Sequence, residues 1–369
     1  KRMAHGSFSK MVIGANEMSD TSVDQNALAK TAQTGNDHLS KLSPIEKEPD
    51  WKNWKGTEVL LFDQSNRGKV ELTGPHAAPF LHNLCSNDIK GMPLGGGCEA
   101  FFADKTARYI SLANIYHLIL GDGRHAFWLD LPPGTGLSMI AHLDRHLVSE
   151  QVEFADRTGE FCQFHISGEP STQLLAKIIG EDIPDLSQNQ HMVRTVGGRI
   201  PTSIRRNDIL KQKGYDLIVL SDRGKALWQI LLENNSIPAS ENVFQGLRIQ
   251  AGMPEEPGEL DGTIRVMEVD RPKTAISDNK GCYLGQEPIV MARDRGQLNR
   301  KLRRIKLEAT ELVSGPLLMD GKEIGRLCSF KQLEKGTWIG LAYLRRGYWE
   351  QSSKWSCQSS VGALLIEVL

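Results

Sequence analysis

The sequence predicts an α+β fold that ends in a small all-β module. A strand, a glycine turn and a helix occur twice in the same arrangement, with Gly74 seven residues before Leu81 and Gly168 seven residues before Leu175. This repetition indicates split β-α-β subdomains. After Leu302 the chain shows short apolar segments at regular spacing with turn residues between them, which is typical of a small barrel or sandwich.

The individual elements follow from the apolar periodicity of each segment. In the first part of the chain we expect strands at 59–62, 69–73, 101–102, 109–120 and 126–131, and helices around 80–84 and over 137–147. A strand at 164–167 with a helix over 174–179 forms the second copy, and 217–232 is a weaker third copy. The all-β module has strands at 304–307, 316–319, 324–327, 338–343 and 363–368. The chain therefore divides into a leader (1–57), an α+β core (58–303) and a β-barrel (304–369).

Composition and charge exclude several classes of protein. The leader is polar and has no apolar periodicity, so we expect it to be poorly ordered, with Trp51 and Trp54 docking its end on the core. Lys and Arg number 44 against 45 Asp and Glu, and a net charge of −1 favours neither nucleic acid nor a membrane surface as partner. The six cysteines are scattered and include no C-x-x-C pair, and no apolar run approaches about 20 residues. These features predict a cytoplasmic protein without a metal site or membrane span.

Residues 280–287, Lys-Gly-Cys-Tyr-Leu-Gly-Gln-Glu, carry most of the chemical information. Glycines on both sides of Cys282 predict a sharp turn, and Lys280 is a nearby cation that favours the reactive thiolate. Gln286 and Glu287 can hold a polar heterocycle by paired hydrogen bonds. The alternative is a loop with an inert, buried cysteine, which residue chemistry alone favours because most single cysteines are structural.

Together with the phrase RIQAGMP at 248–254, this motif resembles the folate-binding YgfZ branch of the glycine cleavage T-protein (aminomethyltransferase, GcvT-like) superfamily. The phrases LFDQSNRGKVELTGPHAAPFLHNLCSNDI, GKEIGRLCSF and IGLAYLRR agree with that superfamily in the same order, so the resemblance covers residues 58–345. It implies a ring of two interleaved ferredoxin-like α+β subdomains and a C-terminal β-barrel around a central cavity. The cavity would hold tetrahydrofolate or a one-carbon derivative of it.

The resemblance also implies roles for individual residues. Cys282 would be a reactive thiol beside the folate, with Lys280 as its electrostatic helper. Arg248 matches the arginine of the family phrase R-x-x-A-G, and Gln212 stands about where the family has a pterin-contacting Glu. The folate-binding candidates are Arg248, Gln212, Tyr215, Tyr283, Gln286 and Glu287.

One departure bears on activity. T-proteins carry a catalytic Asp in an Asp-Asp pair, and in this sequence that position falls on Ile110 and Ser111. The departure argues against glycine-cleavage aminomethyl transfer. The nearest acids that could take over an orienting role are Asp104 and Glu287.

Three functions remain open at this stage. The first is a YgfZ-like protein that binds tetrahydrofolate and supports the maintenance of iron–sulfur enzymes, with folate and iron–sulfur client proteins as partners. The second is a folate-dependent transferase of an aminomethyl or methyl group, of the T-protein type. The third is a non-catalytic binding module with a vestigial cavity.

Three further segments have competing interpretations. The basic stretch 293–304 is either a solvated face or a site for the acidic glutamate tail of a folate, with nucleic acid a weaker alternative because the stretch lacks aromatic residues. His142 and His146 share a helix face but lack the adjacent Glu of metalloprotease helices, so we expect a solvated face. Gly95–Gly97 predict a flexible turn before the strand at 101–102, and the family resemblance implies that this turn lies at the entrance of the cavity.

Overall fold

The computed structural model describes residues 45, 47–296 and 298–369. The prediction of a poorly ordered leader lies outside the described residues for 1–44 and 46. Eleven strands form the α+β core: β1 (Leu60–Asp63), β2 (Gly68–Thr73), β3 (Gly97–Ala103), β4 (Tyr109–Ile119), β5 (His125–Leu131), β6 (Glu153–Asp156), β7 (Phe161–Ser167), β8 (His191–Val196), β9 (Ile200–Arg206), β10 (Gly214–Leu220) and β11 (Ile237–Pro238). The helices are α1 (Ala77–Leu84), α2 (Gly136–Asp144), α3 (Ser171–Ile179), α4 (Gly224–Glu233), α5 (Glu241–Ala251), α6 (Pro272–Ala275) and α7 (Gln286–Arg295), with short 3₁₀ turns at Thr158–Glu160, Ser221–Arg223 and Val266–Val269.

The core strands form two sheets that are interleaved in sequence. The first sheet has the order β11-β1-β7-β10-β9-β8 and the second the order β3-β4-β5-β2-β6. Among the described strands, β1 belongs to the first sheet, β2–β6 form the second sheet, and β7–β11 belong to the first sheet again. The expected pair of interleaved α+β subdomains is therefore confirmed.

The repeated glycine turns have the same physical basis in both subdomains. Gly74 has φ 109° and Gly168 has φ 141°, values that side-chain-bearing residues rarely adopt. A Cβ on Gly74 would lie 2.3 Å from the carbonyl oxygen of Gln151, and one on Gly168 would lie 2.2 Å from that of Glu58. Each turn thus passes directly against a neighbouring backbone before its helix begins.

Each subdomain has its own core. Helices α1 and α2 pack their apolar side chains on the second sheet, with Leu81 and Leu143 fully buried. Helices α3 and α4 do the same on the first sheet through Leu175 and Leu227. Within the described residues, no helix is long and apolar enough to span a membrane.

The C-terminal module is a closed six-stranded barrel. Its strands are β12 (Arg300–Glu308), β13 (Gly315–Met319), β14 (Lys322–Glu334), β15 (Thr337–Arg345), β16 (Lys354–Ser359) and β17 (Gly362–Val368), in the order β12-β15-β14-β13-β16-β17. The barrel shares one apolar core with α5 and with the indoles of Trp51 and Trp54, which are buried as expected. This shared core fixes the barrel and α5 relative to the sheets.

Several boundaries differ from the sequence-based expectation. Strand β12 begins at Arg300 rather than at residue 304, and α2 ends at Asp144 rather than at 147. Strand β16 was not anticipated, because Cys357 is its one fully buried residue and the segment has no clear apolar alternation. Strands β8 and β9 were missed as well, and β8 is mostly half-buried.

Candidate functional site

A cavity of about 510 Å³ lies where the two subdomains meet α5. Its walls come from the beginning of β3, the middle of β4, the segments 188–189 and 207–211, and the loop that follows α5. The volume is within the range of about 300–1,000 Å³ that is typical of small-molecule sites. The glycine-rich turn reaches this site, as expected, through Gly97. No group of three or more metal-binding side chains was found in the described part of the chain.

Three of the four carboxylates that line the cavity are neutralised by arginines. Glu99 receives two hydrogen bonds from Arg271, of 2.7 and 2.6 Å. Asp208 is held in the same way by the guanidinium of Arg206, at 2.7 and 2.8 Å. Glu255 lies 2.8 Å from Nε of Arg248.

Glu256 is the lining carboxylate that has no ion pair among the described residues. Its Oε2 accepts a hydrogen bond of 2.9 Å from the hydroxyl of Tyr109, and that hydroxyl in turn accepts the backbone N–H of Leu112 at 3.1 Å. Burial raises the pKa of Glu256, as expected for a carboxylate without a cation beside it. The cavity therefore contains one carboxylate that is held in place by a neutral donor.

Most of the cationic side chains that line the cavity are also ion-paired. Arg67 pairs with the buried Asp130 at 2.6 Å, while Arg271 and Arg248 are paired as described above. Lys211 has no ion pair within the described residues, and it is exposed, so it lies at the opening of the cavity. Burial of its ammonium group, together with repulsion from Arg304 and Arg271, lowers the pKa of Lys211.

Arg248 is the one predicted site residue that lines the cavity, and its guanidinium is saturated by protein groups. Besides Glu255, it contacts Glu259 at 2.9 Å, the carbonyl of Met253 at 3.0 Å and the hydroxyl of Ser329 at 3.0 Å. These contacts connect α5, the following loop and barrel strand β14. Arg248 therefore shapes the cavity by positioning the loop that carries Glu256.

The loop at 280–287 lies elsewhere. None of its residues is among those that line the cavity, and Cys282 is exposed on the surface. Gln286 and Glu287 begin α7; Gln286 is half-buried and Glu287 is exposed. A cavity beside α7 has a volume of only about 30 Å³, which is too small for a pterin. The expectation that this loop borders the folate cavity is corrected by its position.

Lys280 also differs from its expected role as helper of Cys282. Its ammonium donates to three backbone carbonyls around the end of α1: that of His82, that of Cys85 at 2.6 Å and that of Asn87 at 2.8 Å. It also lies 4.7 Å from the ring centre of the buried Tyr283. All three ammonium protons are thus used by backbone groups, and Lys280 fastens its loop to α1.

Two further predicted binding residues lie outside the cavity wall. Gln212 packs against Gly56, at a distance that leaves no room for a Cβ there. Tyr215 is buried in the core of the first sheet, where its hydroxyl bonds to Thr172 at 2.8 Å and accepts from Arg206 at 3.3 Å. The cavity wall on this side is formed instead by Asp208 and Lys211.

The candidate acids named from the sequence are likewise placed apart from the cavity. Asp104 caps its own turn by accepting from Thr106 and from the backbone N–H of Arg108, and these hydrogen bonds lower its pKa against the opposing effect of burial. Ile110 and Ser111 lie on β4 just before the residues that line the cavity. Glu256, which does line the cavity, contacts this part of β4 through the hydroxyl of Tyr109.

Four basic side chains of the stretch 293–304 are paired with acids. Arg293 pairs with Asp278 at 2.6 Å and Arg300 with Glu268 at 3.0 Å, while Arg303 and Lys301 both contact Asp270. None of these residues lines the cavity. The solvated-face interpretation therefore fits this stretch better than a tail-binding site.

The expected solvated face of His142 and His146 is wrong for His142. Its ring is buried, lies edge-on to Phe102 with ring centres 6.5 Å apart, and contacts His146 at 5.0 Å. Burial, followed by the charges of His146 and Arg145, lowers the pKa of His142 to about 4. The side chain is therefore a neutral core residue.

Sequence reasoning missed Glu256 and Lys211. Glu256 lies two residues after the phrase at 248–254, so its proximity to a family motif was the available signal. Lys211 stands beside Gln212 in the segment that was compared with the family's pterin-binding phrase. The residues chosen from these two segments were Arg248 and Gln212.

Comparison with known proteins agrees with this architecture. A family model described as the GCVT N-terminal domain matches residues 53–273, a span that contains both sheets, α5 and Glu256. The chain belongs to this family. A chloroplastic protein of Arabidopsis thaliana with a provisional transferase name is 27% identical over 290 residues, which cover 78% of the chain. The match spans 66% of the length of that plant protein.

Relatives that are named aminomethyltransferases have a similarly low sequence identity to this chain. The aminomethyltransferase of Lysinibacillus sphaericus is 26% identical over 318 residues, which cover 83% of each chain. The crystal structure of the glycine cleavage system aminomethyltransferase T from Bartonella henselae superposes with a TM-score of 0.72 over 85% of each chain, at 15% identity. At this identity the superposition shows that the GcvT-like fold is shared.

Proposed function

We propose that this chain binds tetrahydrofolate, or a one-carbon derivative of it, in the 510 Å³ cavity, and that it acts as a YgfZ-type protein in the maintenance of iron–sulfur enzymes. The observation that carries the proposal is the open cavity with Glu256 as its unpaired carboxylate. A reduced pterin presents parallel N–H donors on one edge, which a carboxylate accepts well. The resemblance of the motif at 280–287 to the YgfZ branch supports the second half of the proposal.

The exposed thiol of Cys282 fits a role toward a protein client. It is the one cysteine of the six that is exposed, and all six are free. Free thiols are in keeping with a reducing compartment such as the cytoplasm. A thiol on the surface is accessible to another macromolecule, whereas the folate would lie inside the cavity.

The first half of the proposal is tested by isothermal titration with tetrahydrofolate under anaerobic, reducing conditions. We expect saturable 1:1 binding. Absence of heat at ligand concentrations up to the millimolar range, confirmed by equilibrium dialysis, would refute folate binding.

The second half is tested in cells that depend on this protein for an iron–sulfur enzyme. We expect Cys282→Ala to lower that enzyme's activity while tetrahydrofolate binding is retained. Cys328→Ala is the matched control, because the Cys328 thiol in barrel strand β14 is half-buried and burial raises its pKa to about 12. Equal activity of the Cys282→Ala variant and the wild type would refute a role for the thiol.

A second candidate function is favoured by one observation. Glu256 lies in the cavity next to β4, the strand on which T-proteins carry the catalytic Asp, and so provides a carboxylate that would orient a reacting amine. A folate-dependent transferase of the T-protein type is therefore the alternative. Exchange of a one-carbon unit from methylenetetrahydrofolate with a panel of methylamine-type acceptors tests it, and turnover at the uncatalysed rate counts against it. The third candidate, a vestigial cavity, is disfavoured because side chains leave the cavity unfilled.

A further inference from the structure

A group of buried polar side chains joins the two sheets. Arg205 on β9 of the first sheet has its Cζ 4.2 Å from the ring centre of Tyr116 and 5.3 Å from that of Trp128, which lie on β4 and β5 of the second sheet. Gln163 on β7 donates to Asp130 on β5 at 3.2 Å, so it also connects the two sheets. All five side chains are almost completely inaccessible to solvent. The junction of the subdomains therefore contains charges that water does not screen.

The carboxylates of this junction are already used by other donors. Asp130 accepts a hydrogen bond from Nε of Arg67 at 2.6 Å, which makes an ion pair. Asp216 accepts from Nδ1 of His165 at 2.8 Å and from the amide of Asn207 at 2.7 Å. Both acids are thus held by neighbours other than the arginine of β9.

Arg205 has no ion pair with an acid in the described part of the chain. Its Nε and Nη1 are fully buried and have no hydrogen-bond acceptor there. The hydroxyl of Tyr116 and Nε1 of Trp128 belong to the two rings beside the guanidinium, and they lack a partner in the same way. Buried polar groups are almost always satisfied in folded proteins, so this group of donors indicates a site for a bound water or ion.

The balance of charge favours an anion over water. Lys69 is another buried cation of the junction, and its ammonium donates to the carbonyls of Ser65 at 3.0 Å and of Arg67 at 2.8 Å. Burial lowers the pKa of Lys69 to about 8, so the ammonium keeps its proton at neutral pH. Arg67, Arg205 and this lysine therefore outnumber the carboxylates of the junction. Water would accept the free N–H groups but would leave the excess charge uncompensated, which is costly in a protein interior.

We propose that the junction of the two subdomains binds one small monovalent anion, a halide such as chloride or a small carboxylate such as formate, on the guanidinium of Arg205. Guanidinium N–H groups bind such anions through charge-assisted hydrogen bonds, and Tyr116 and Trp128 supply further donors beside it. The site adjoins the large cavity, which Arg67 and Asn207 line, but Arg205 is not among the lining residues. The proposal does not depend on what the cavity binds.

Stability measured against anion concentration tests the site. Urea unfolding of the full chain is followed at pH 7 and constant ionic strength while sodium gluconate, a bulky anion, is replaced by sodium chloride or, separately, by sodium formate. An anion that binds only the folded chain lowers the unfolding equilibrium constant about elevenfold when its free concentration is about ten times its dissociation constant. Stabilisation by chloride alone identifies a halide site, and stabilisation by formate alone identifies a carboxylate site.

Two variants separate specific binding from general salt effects. Arg205→Met removes the guanidinium and keeps an unbranched side chain between the rings, and we expect it to lose the anion-specific stabilisation. Arg223→Met is the matched control, because Arg223 is exposed in the short turn Ser221–Arg223, and we expect it to respond to anions as the wild type does. General salt effects are common to all three proteins and cancel in the comparison.

Crystals of the wild type soaked in bromide and in formate give a measurement that does not require the variant to fold. We expect an anomalous bromide peak, or density for formate, within hydrogen-bond distance of the Arg205 guanidinium. Equal stability of the wild type in all three salts, or equal stabilisation of Arg205→Met, would overturn the proposal. Density in soaked crystals without any effect on stability means an adventitious ion only, and overturns it as well. No folate is present in these measurements, so their failure leaves the proposed function untouched.

Discussion

Replacement of Lys280 by Met distinguishes two roles for the most recognisable loop of this chain. In the structure, the ammonium of Lys280 donates to the carbonyls of His82, Cys85 and Asn87 and lies over the ring of Tyr283. The alternative role, which its position two residues before Cys282 suggests, is to favour the thiolate of that cysteine. The first role concerns stability, and the second concerns the reactivity of the thiol.

The structure gives the size of the expected effect. Each hydrogen bond from a charged donor contributes about 1.5–3 kcal/mol, and the contact with Tyr283 adds about 0.5–1 kcal/mol. The full sum is not expected, because Lys280 is only half-buried and water reaches some of the freed carbonyls. We therefore expect Lys280→Met to lower the free energy of unfolding by about 2–4 kcal/mol. Lys273→Met is the control, since Lys273 is exposed on the short helix α6.

Two measurements on the same variant separate the roles. Urea denaturation gives the free energy of unfolding, and the rate of alkylation by iodoacetamide as a function of pH gives the reactivity of Cys282, which is the exposed thiol. We expect a lower urea midpoint and an alkylation rate that is unchanged or faster as the loop loosens. A wild-type urea midpoint combined with markedly slower alkylation would refute the structural role and restore the electrostatic one.

Two further predictions concern the core. Gly246→Ala in α5 places a Cβ 2.4 Å from the ring of Trp51. We therefore expect the free energy of unfolding to fall by about 1–3 kcal/mol and the fluorescence of the indole to show greater exposure to solvent. Gly262→Ala is the control and should have neither effect, because a Cβ there meets no atom within 4 Å. Burial of His191, with a contribution from Arg205, lowers its pKa to about 4. Between about pH 6.5 and pH 4 the imidazole is therefore protonated in the unfolded chain but neutral in the folded chain. Stability should therefore fall as the pH drops from 6.5 towards 4, by about 2 kcal/mol at pH 5 for this one group. His191→Gln should remove that part of the loss in urea titrations at pH 7 and pH 5, and an undiminished loss would contradict the assignment.

The overall fold could be predicted because its signals are local. Gly74 and Gly168 are required by close backbone contacts in turns that recur in both subdomains, so the sequence repeats where the structure does. Short barrel strands likewise carry their own turn residues. Strand β16 was missed because barrel closure, rather than an apolar pattern of its own, keeps it in place.

The candidate site was harder to predict because its chemistry depends on which charges remain unpaired. Glu255 and Glu256 are adjacent and identical in type, yet Arg248 neutralises the first while Tyr109, far away in sequence, holds the second. No local pattern distinguishes them. The role of Lys280 was hidden in the same way, since its acceptors lie almost 200 residues earlier in the chain.

The geometry also separates the two features that the family resemblance would join. The cavity with Glu256 is bounded by β4, α5 and the loop that follows α5, whereas Cys282 stands on the outer surface of a loop fastened to α1. Cys282 is not among the residues that line the cavity, so a ligand confined to the cavity would not touch this thiol while Lys280 holds the loop in place. If both features serve one function, release of the Lys280 contacts has to precede contact between thiol and folate, or the thiol acts on a separate partner. Lys280→Met is therefore informative beyond stability: a change in its tetrahydrofolate affinity would favour a loop that moves, and an unchanged affinity would favour two independent sites.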